Sequence, residues 1–347
     1  ITILQNENER QENTMTMNPP RCDAVDYIHF LIAAQRVFTC TEAARCQPTG
    51  EKAPTHDAFT RLLQRQPSDT EALWREAEGL VDKRNGFLVL DDTTLDKPYA
   101  HKMDLVTYHW SGKHQKVVRG INLLTLLWTD GKALIPCDFR VYDKPIGGNT
   151  KNEHFLAMLQ KARDRGFTPS YVLFDSWYAT LKNLKRIRSY GWHFCTRLKS
   201  NRLVNPDGAG NRPISVVEIP LEGRVVHLKG YGFVKVFRTV SQTGNAEHWA
   251  TDDLQMEEAT RNDLEARGWG IEVYHRGIKQ CCGIEQAQVR KAAEQKSHLL
   301  MALRAFLRLE AHRLRTGISW YGAKTCIIRE AIRAYLAHPR YTLGSSA

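Results

Sequence analysis

The sequence predicts an α/β protein: a mixed sheet with helices on its faces, a β-rich insertion, an N-terminal helical segment and C-terminal helices. Three observations carry that reading. Short apolar runs alternate with stretches of helical period between residues 86 and 198. From Lys199 to Asp253, β-type runs follow one another between turn residues. Before Arg84, and again after residue 253, the apolar positions are spaced as in helices.

With 347 residues, 42% hydrophobic and 25% charged, the chain can bury a sizeable core in two or three domains. It has no run of about 18 apolar residues, which argues against a transmembrane helix and a membrane role. The opening, Ile1 to Arg10, is polar and lacks the apolar stretch of a signal peptide. Met15 or Met17 is a candidate natural start, and residues 1–20 are expected to form a disordered tail. A net charge of +11, with pI near 9.3, favours a polyanionic partner, most simply nucleic acid. The eight cysteines show neither a CxxC pair nor Cys/His zinc spacing, so reduced thiols of a cytosolic protein are expected.

Residues 21–84 have no strand signal. Ile28, Leu31, Ile32 and Val37 form one apolar face, and the segment Cys46 to Pro54 breaks it. Phe59, Leu62 and Leu63 begin a second helix. Ser68-Asp69-Thr70 before Glu71 marks the start of a third, through Leu73, Trp74 and Leu80. This partly basic unit reads as a DNA-binding domain or as a cap on the domain that follows.

At Gly86 the period changes. Phe87-Leu88-Val89-Leu90 reads as a buried strand ending at Asp91-Asp92. Lys116 to Trp128 and Lys132 to Val141 are β-type runs joined by Thr129-Asp130-Gly131, a hairpin signal. Lys151 to Arg165 has helical spacing. Tyr171-Val172-Leu173-Phe174 is a second short strand, ending at Asp175. Leu181 to Tyr190 is a basic helix and Trp192 to Leu198 a strand, which closes a first core part at 85–198. In the insertion, 199–253, strands are expected at Arg224–Leu228, Phe233–Val240 and Glu247–Thr251. Asp252-Asp253 then offers a helix cap. Residues 254–347 supply the rest of the core and two terminal helices, Leu299 to Leu314 and Ala323 to Leu336.

The stretch Gly268 to Lys279 divides by face. If helical, it sets Trp269, Glu272, His275, Arg276 and Lys279 on one side and Ile271, Tyr274 and Ile278 on the other. Carboxyl ends of adjacent central strands lie close in a mixed sheet, and a helix packed across them can add Glu272. Three converging carboxylates suit a hard divalent cation, because Mg²⁺ takes oxygen ligands and keeps positions for phosphate oxygens and water. Two such ions, about 4 Å apart, can serve an in-line phosphoryl transfer. Lys182, Lys185, Arg186 and Arg188 make a basic helix face that could track phosphates.

These residues resemble a family. The order Leu-Asp-Asp-Thr-Thr, Phe-Asp-Ser-Trp-Tyr and Trp-Gly-Ile-Glu-Val-Tyr-His-Arg, followed by Lys279, is similar to the DDE-type transposases of bacterial insertion sequences. The branch is the one with a β-rich insertion before the catalytic Glu, and the resemblance spans roughly residues 85 to 290. It implies an RNase H-like catalytic core and DNA cleavage with strand transfer dependent on Mg²⁺, or on Mn²⁺ in its place. It carries the catalytic, metal-holding triad onto Asp92, Asp175 and Glu272. Asp91 is the competing first position, since alternation along a strand points only one of the pair into a site. Of the family's Tyr, Arg, Glu, Lys signature, Glu272 and Lys279 are in place. The Arg position falls at Gly268, with Arg267 one residue away, and the Tyr position at Glu265. His275, Arg276 and Lys279 fit contacts to the scissile-end phosphate, Arg267 is a further candidate DNA contact, and Trp249 and Trp269 are candidates to stack on a flipped base. The implied protein is a cut-and-paste transposase of the bacterial cytoplasm. It would act as a homodimer on double-stranded transposon ends and target DNA, through a hairpin intermediate. A nuclease without strand transfer and a non-catalytic repressor are the alternatives.

Overall fold

The computed structural model describes residues 19–66, 69–112, 114–143, 148–240 and 244–339. The expected tail therefore lies outside the described residues up to residue 18, as does Ser68 of the third helix start.

Four short helices come first: α1 (Ala24–Ala33), α2 (Cys40–Arg45), α3 (His56–Arg65) and α4 (Thr70–Ala77). Asp23 caps α1 through a reciprocal box with Asp26, which satisfies amide groups that a helix start leaves open. The buried faces, with Tyr27, Ile28 and Leu31 in α1 and Phe59, Leu62 and Leu63 in α3, pack on the long C-terminal helix at Ala292–Thr316. That helix buries Leu299, Leu300, Met301, Ala302 and Leu303 in succession, so it is covered on every side, as an axis of the core must be.

The sheet is mixed and has 11 strands. Strand β1 (Phe87–Asp96) lies between β3 (Lys116–Thr129) and β5 (Tyr171–Phe174). It pairs antiparallel with β3 over its whole length, but parallel with β5 only from Phe87 to Leu90. Both β2 (Thr107–Ser111) and β4 (Ile135–Tyr142) pair with β3. The β3–β4 turn is the expected one: Gly131 has φ +96°, and Asp130 Oδ1 accepts from the amides of Lys132 and Ala133. Beyond β5, β6 (His193–Leu198) pairs parallel with it. The insertion strands β7 (Leu203–Asn205), β8 (Arg212–Pro213), β9 (Arg224–Leu228), β10 (Gly232–Val240) and β11 (Ala246–Thr251) continue the same sheet, because β11 pairs antiparallel with β6.

One face of the core sheet carries α5 (Lys151–Asp164) and α6 (Leu181–Ser189). The other carries α7 (Glu258–Gly268) and α8 (Gly270–Cys281). Behind α8 run α9, the long helix already described, and α10 (Trp320–Ala337). Among the described residues, no helix is long and apolar enough to cross a membrane. All eight cysteines are free.

Several readings differ from expectation: α9 begins at Ala292 rather than Leu299, and β2, β7 and β8 are strands that were not expected. Strand β1 continues past Asp91-Asp92, because β3 offers a partner through Gly120 after β5 has ended. Helix α7 starts at Glu258, not at Asp252-Asp253. The Asp252 carboxylate instead accepts from Phe194 N and Tyr231 OH, which ties the end of β11 to the sheet.

Candidate active site

Three carboxylates meet where the β1–β5 pairing ends. Leu90 is the last β1 residue in register with β5, opposite Phe174, so Asp91 and Asp175 follow side by side on neighbouring strands. Side chains alternate along a strand, and both aspartates turn to the face that α7 and α8 cover. There they line a cavity of about 170 Å³ together with Glu272, from the first turn of α8, and with Arg197, Trp249 and Trp269. Carboxylate oxygens of Asp91 and Glu272 and a ring nitrogen of His275 all lie within 4.8 Å of one another.

The aspartate in this cavity is Asp91, which corrects the expected placement of Asp92. Asp92 turns to the opposite face, toward α5. Its Oδ2 accepts from Lys151 Nζ and Asn122 Nδ2, both at 2.6 Å, and its Oδ1 accepts from Tyr178 OH. Burial opposes ionisation of Asp92. The Lys151 ammonium and the two neutral donors overcome it and hold the carboxyl below the usual range. Tyr178 lies three residues beyond Asp175, so this network also anchors the loop that carries Asp175.

Asp91 is in the reverse situation. Burial, and then the negative charges of Asp92 and Asp175, push its carboxyl well above the ordinary value. Burial raises Asp175 as well. Crowded acids without a matching cation keep protons, and a bound cation would reverse that balance. The donor set therefore fits a divalent metal ion. Among the described residues, Asp91, Glu272 and His275 are the cluster of His, Cys, Asp and Glu side chains close enough to share one.

The polar side of α8 is not the row of exposed cations that its spacing suggested. His275 is only 4% exposed, and burial, helped by Lys279, lowers its pKa to about 3, so the ring is neutral. Its Nε2 is buried without a hydrogen-bond partner among the described residues. Lys279 Nζ donates to Thr94 O at 2.8 Å and pairs with Glu285 at 3.0 Å, which joins α8 to β1. Arg267 donates to Asp263 and to the carbonyl of Asp130 at 2.6 Å, so it clips α7 to the β3–β4 turn. Arg276 is exposed. Trp269 is 62% exposed at the cavity rim. Trp249 is half-buried, with the guanidinium groups of Arg197 and Arg261 each 5.6 Å from its ring.

Sequence reasoning passed over three side chains here. Lys151 and Asn122 sit 59 and 30 residues from Asp92, and only the fold brings them to it. Trp177 is 55% exposed beside Asp175, with Lys199 5.1 Å from its ring. Its place in Phe-Asp-Ser-Trp-Tyr was the available signal.

No curated protein matches this chain in sequence. Among solved structures, it is similar in fold to the piggyBac transposase in its synaptic complex with hairpin DNA, determined by cryo-EM. The TM-score is 0.51 at 10% identity, over 96% of this chain and 77% of that one. The family described as DDE superfamily endonuclease matches residues 21–261, a span that contains both Asp91 and Asp175. That match covers most of the sequence, and the chain belongs to the family of DDE superfamily endonucleases.

Proposed function

We propose that this chain is a cut-and-paste DNA transposase, which cleaves transposon ends by metal-dependent phosphoryl transfer and joins the 3′-OH ends to target DNA. The observation that carries the reading is the convergence of Asp91, Asp175 and Glu272 in one cavity of a DDE superfamily endonuclease. In this reading the three carboxylates would hold Mg²⁺, with Mn²⁺ as a substitute. When bound, the cations supply Lewis-acid stabilisation of phosphate charge and a more nucleophilic water or 3′-OH.

The chain's own groups do the rest. The Asp92 network fixes the strand and loop that present Asp91 and Asp175. Arg276, at the open side of α8, contacts the DNA backbone, with the net charge of +11 behind it. Trp269 and Trp249, which line the cavity, and Trp177, exposed close to Asp175 in sequence, offer rings for an unpaired base, a contact worth about 1–3 kcal/mol. A hairpin end would present such a base. Two copies would hold two ends, and the helices of residues 21–84 would add DNA contacts outside the cavity.

The test is an end-processing assay. Double-stranded DNA bearing the element's terminal repeats is incubated with protein and Mg²⁺, and nicked, hairpin and joined products are separated. Wild type should yield all three. Asp91→Asn, Asp175→Asn and Glu272→Gln should each lose activity by a factor on the order of 10²–10³ or more. Cleavage that survives Glu272→Gln would reject the assignment. Cleavage without joining of a pre-cut 3′-OH end would mark a nuclease, and binding without nicking a repressor.

A further inference from the structure

We propose that His275 is a nitrogen ligand of the same metal centre, and that it tilts the site toward Mn²⁺ over Mg²⁺. The inference rests on the reading of the acid cluster above.

His275 follows Glu272 by three residues on α8, so the two side chains leave the helix on one side. Its ring nitrogen and the oxygens of Asp91 and Glu272 lie within 4.8 Å of one another. Three donors each about 2.1 Å from one ion lie about 3.0–3.6 Å apart, so these side chains would close by roughly an ångström on binding. The cluster is thus within a small side-chain movement of enclosing one ion. The ring is 4% exposed, and Nε2 has no hydrogen-bond partner, an arrangement that native interiors rarely tolerate. Lys279 is engaged elsewhere, with Thr94 and Glu285, and among the described residues no group hydrogen-bonds to Nε2.

A nitrogen donor changes the preference of the site. Mg²⁺ selects oxygen ligands, whereas imidazole gains affinity along the first-row transition series. Asp91, Glu272 and an imidazole, with Asp175 lining the same cavity, therefore favour Mn²⁺ more than carboxylates alone would.

The test is Mn²⁺ binding to the full chain without DNA, followed by titration and by pulsed EPR, which detects coupling to a directly bound ¹⁴N. Wild type should show the ¹⁴N coupling. His275→Ala should lose it and bind Mn²⁺ about 10–100-fold more weakly, while Mg²⁺ affinity, read by competition, falls much less. His275→Gln, which keeps side-chain length and polarity, should also lose the coupling if the alanine variant does not fold. Mn²⁺ bound to wild type without ¹⁴N coupling, or coupling that persists in both variants, overturns the role of His275 and leaves the acid cluster standing. Mn²⁺ binding that is absent in wild type, or undiminished by Glu272→Gln, overturns the cluster itself.

Discussion

Asp91 and Asp92 are neighbours with opposite electrostatic fates. Asp92 is satisfied by a cation and two neutral donors, whereas Asp91 faces other acids. Mutations should separate them. In metal-free protein, Asp92→Asn or Lys151→Met strands part of a mostly buried pair, and each should cost about 2–4 kcal/mol in a denaturant titration. Asp91→Asn replaces a buried acid, whose ionisation burial and its acidic neighbours oppose, with a neutral group; it should leave stability unchanged or raise it, even as it abolishes metal-dependent cleavage. Equal destabilisation by Asp91→Asn and Asp92→Asn would contradict this division. The pair itself was legible in the sequence, as was the rule that only one member faces inward. Which one does so depends on the face that α8 covers, and a pattern of period two has no absolute phase.

Helix α8 shows how much a single element discloses. Its apolar stripe of Ile271, Tyr274 and Ile278 is buried as its spacing predicts. The burial of His275 was not legible, because what covers it is the acidic edge of β1. Gly277 marks how tightly the stripe packs. A Cβ there would lie 2.7 Å from Trp320 Cζ3 and 2.8 Å from Phe306 Cε2, rings from α10 and α9. Gly277→Ala should therefore cost about 1–3 kcal/mol despite alanine's better helix propensity, and a raised Tm would refute the close approach. At the end of α7, Arg267 spends its donors on Asp263 and Asp130. Arg267→Ala should lower stability by about 1 kcal/mol and leave the affinity for transposon-end DNA nearly unchanged. A large loss of DNA affinity at constant stability would restore it as a DNA contact.

At the scale of the molecule, α9 joins the helices α1, α3 and α4 to α10, and His298 on it is a sensor of that assembly. Its Nδ1 meets Tyr27 OH of α1 at 3.0 Å, and its Nε2 meets the carbonyl of Gly283 at 3.2 Å. Burial lowers its pKa to about 4, below the unfolded value of about 6.5. The unfolded chain then takes up a proton first as pH falls. The stability His298 contributes is complete above about pH 6.5 and declines toward about pH 4, by at most about 1.4 kcal/mol per pH unit. Asp91, with its raised pKa, acts with the opposite sign and is common to any comparison at His298. Thermal unfolding of metal-free wild type and His298→Gln between pH 8 and 4.5 should show a flatter profile for the variant, and parallel profiles would exclude His298 as the source. The sequence by itself determined most of the long elements and their order, the hairpin at Asp130-Gly131 and the acids available for chemistry, because period, turn residues and charge are local properties; the short strands β2, β7 and β8 and the break between α7 and α8 left no such mark. The tertiary structure alone decided that the insertion extends the core sheet, that the N-terminal helices close on α9, that Lys151 and Tyr178 hold Asp92, and that Asp91 and His275 meet Glu272. Each of these is a contact between residues far apart in sequence, where the choice of face and partner is made by packing.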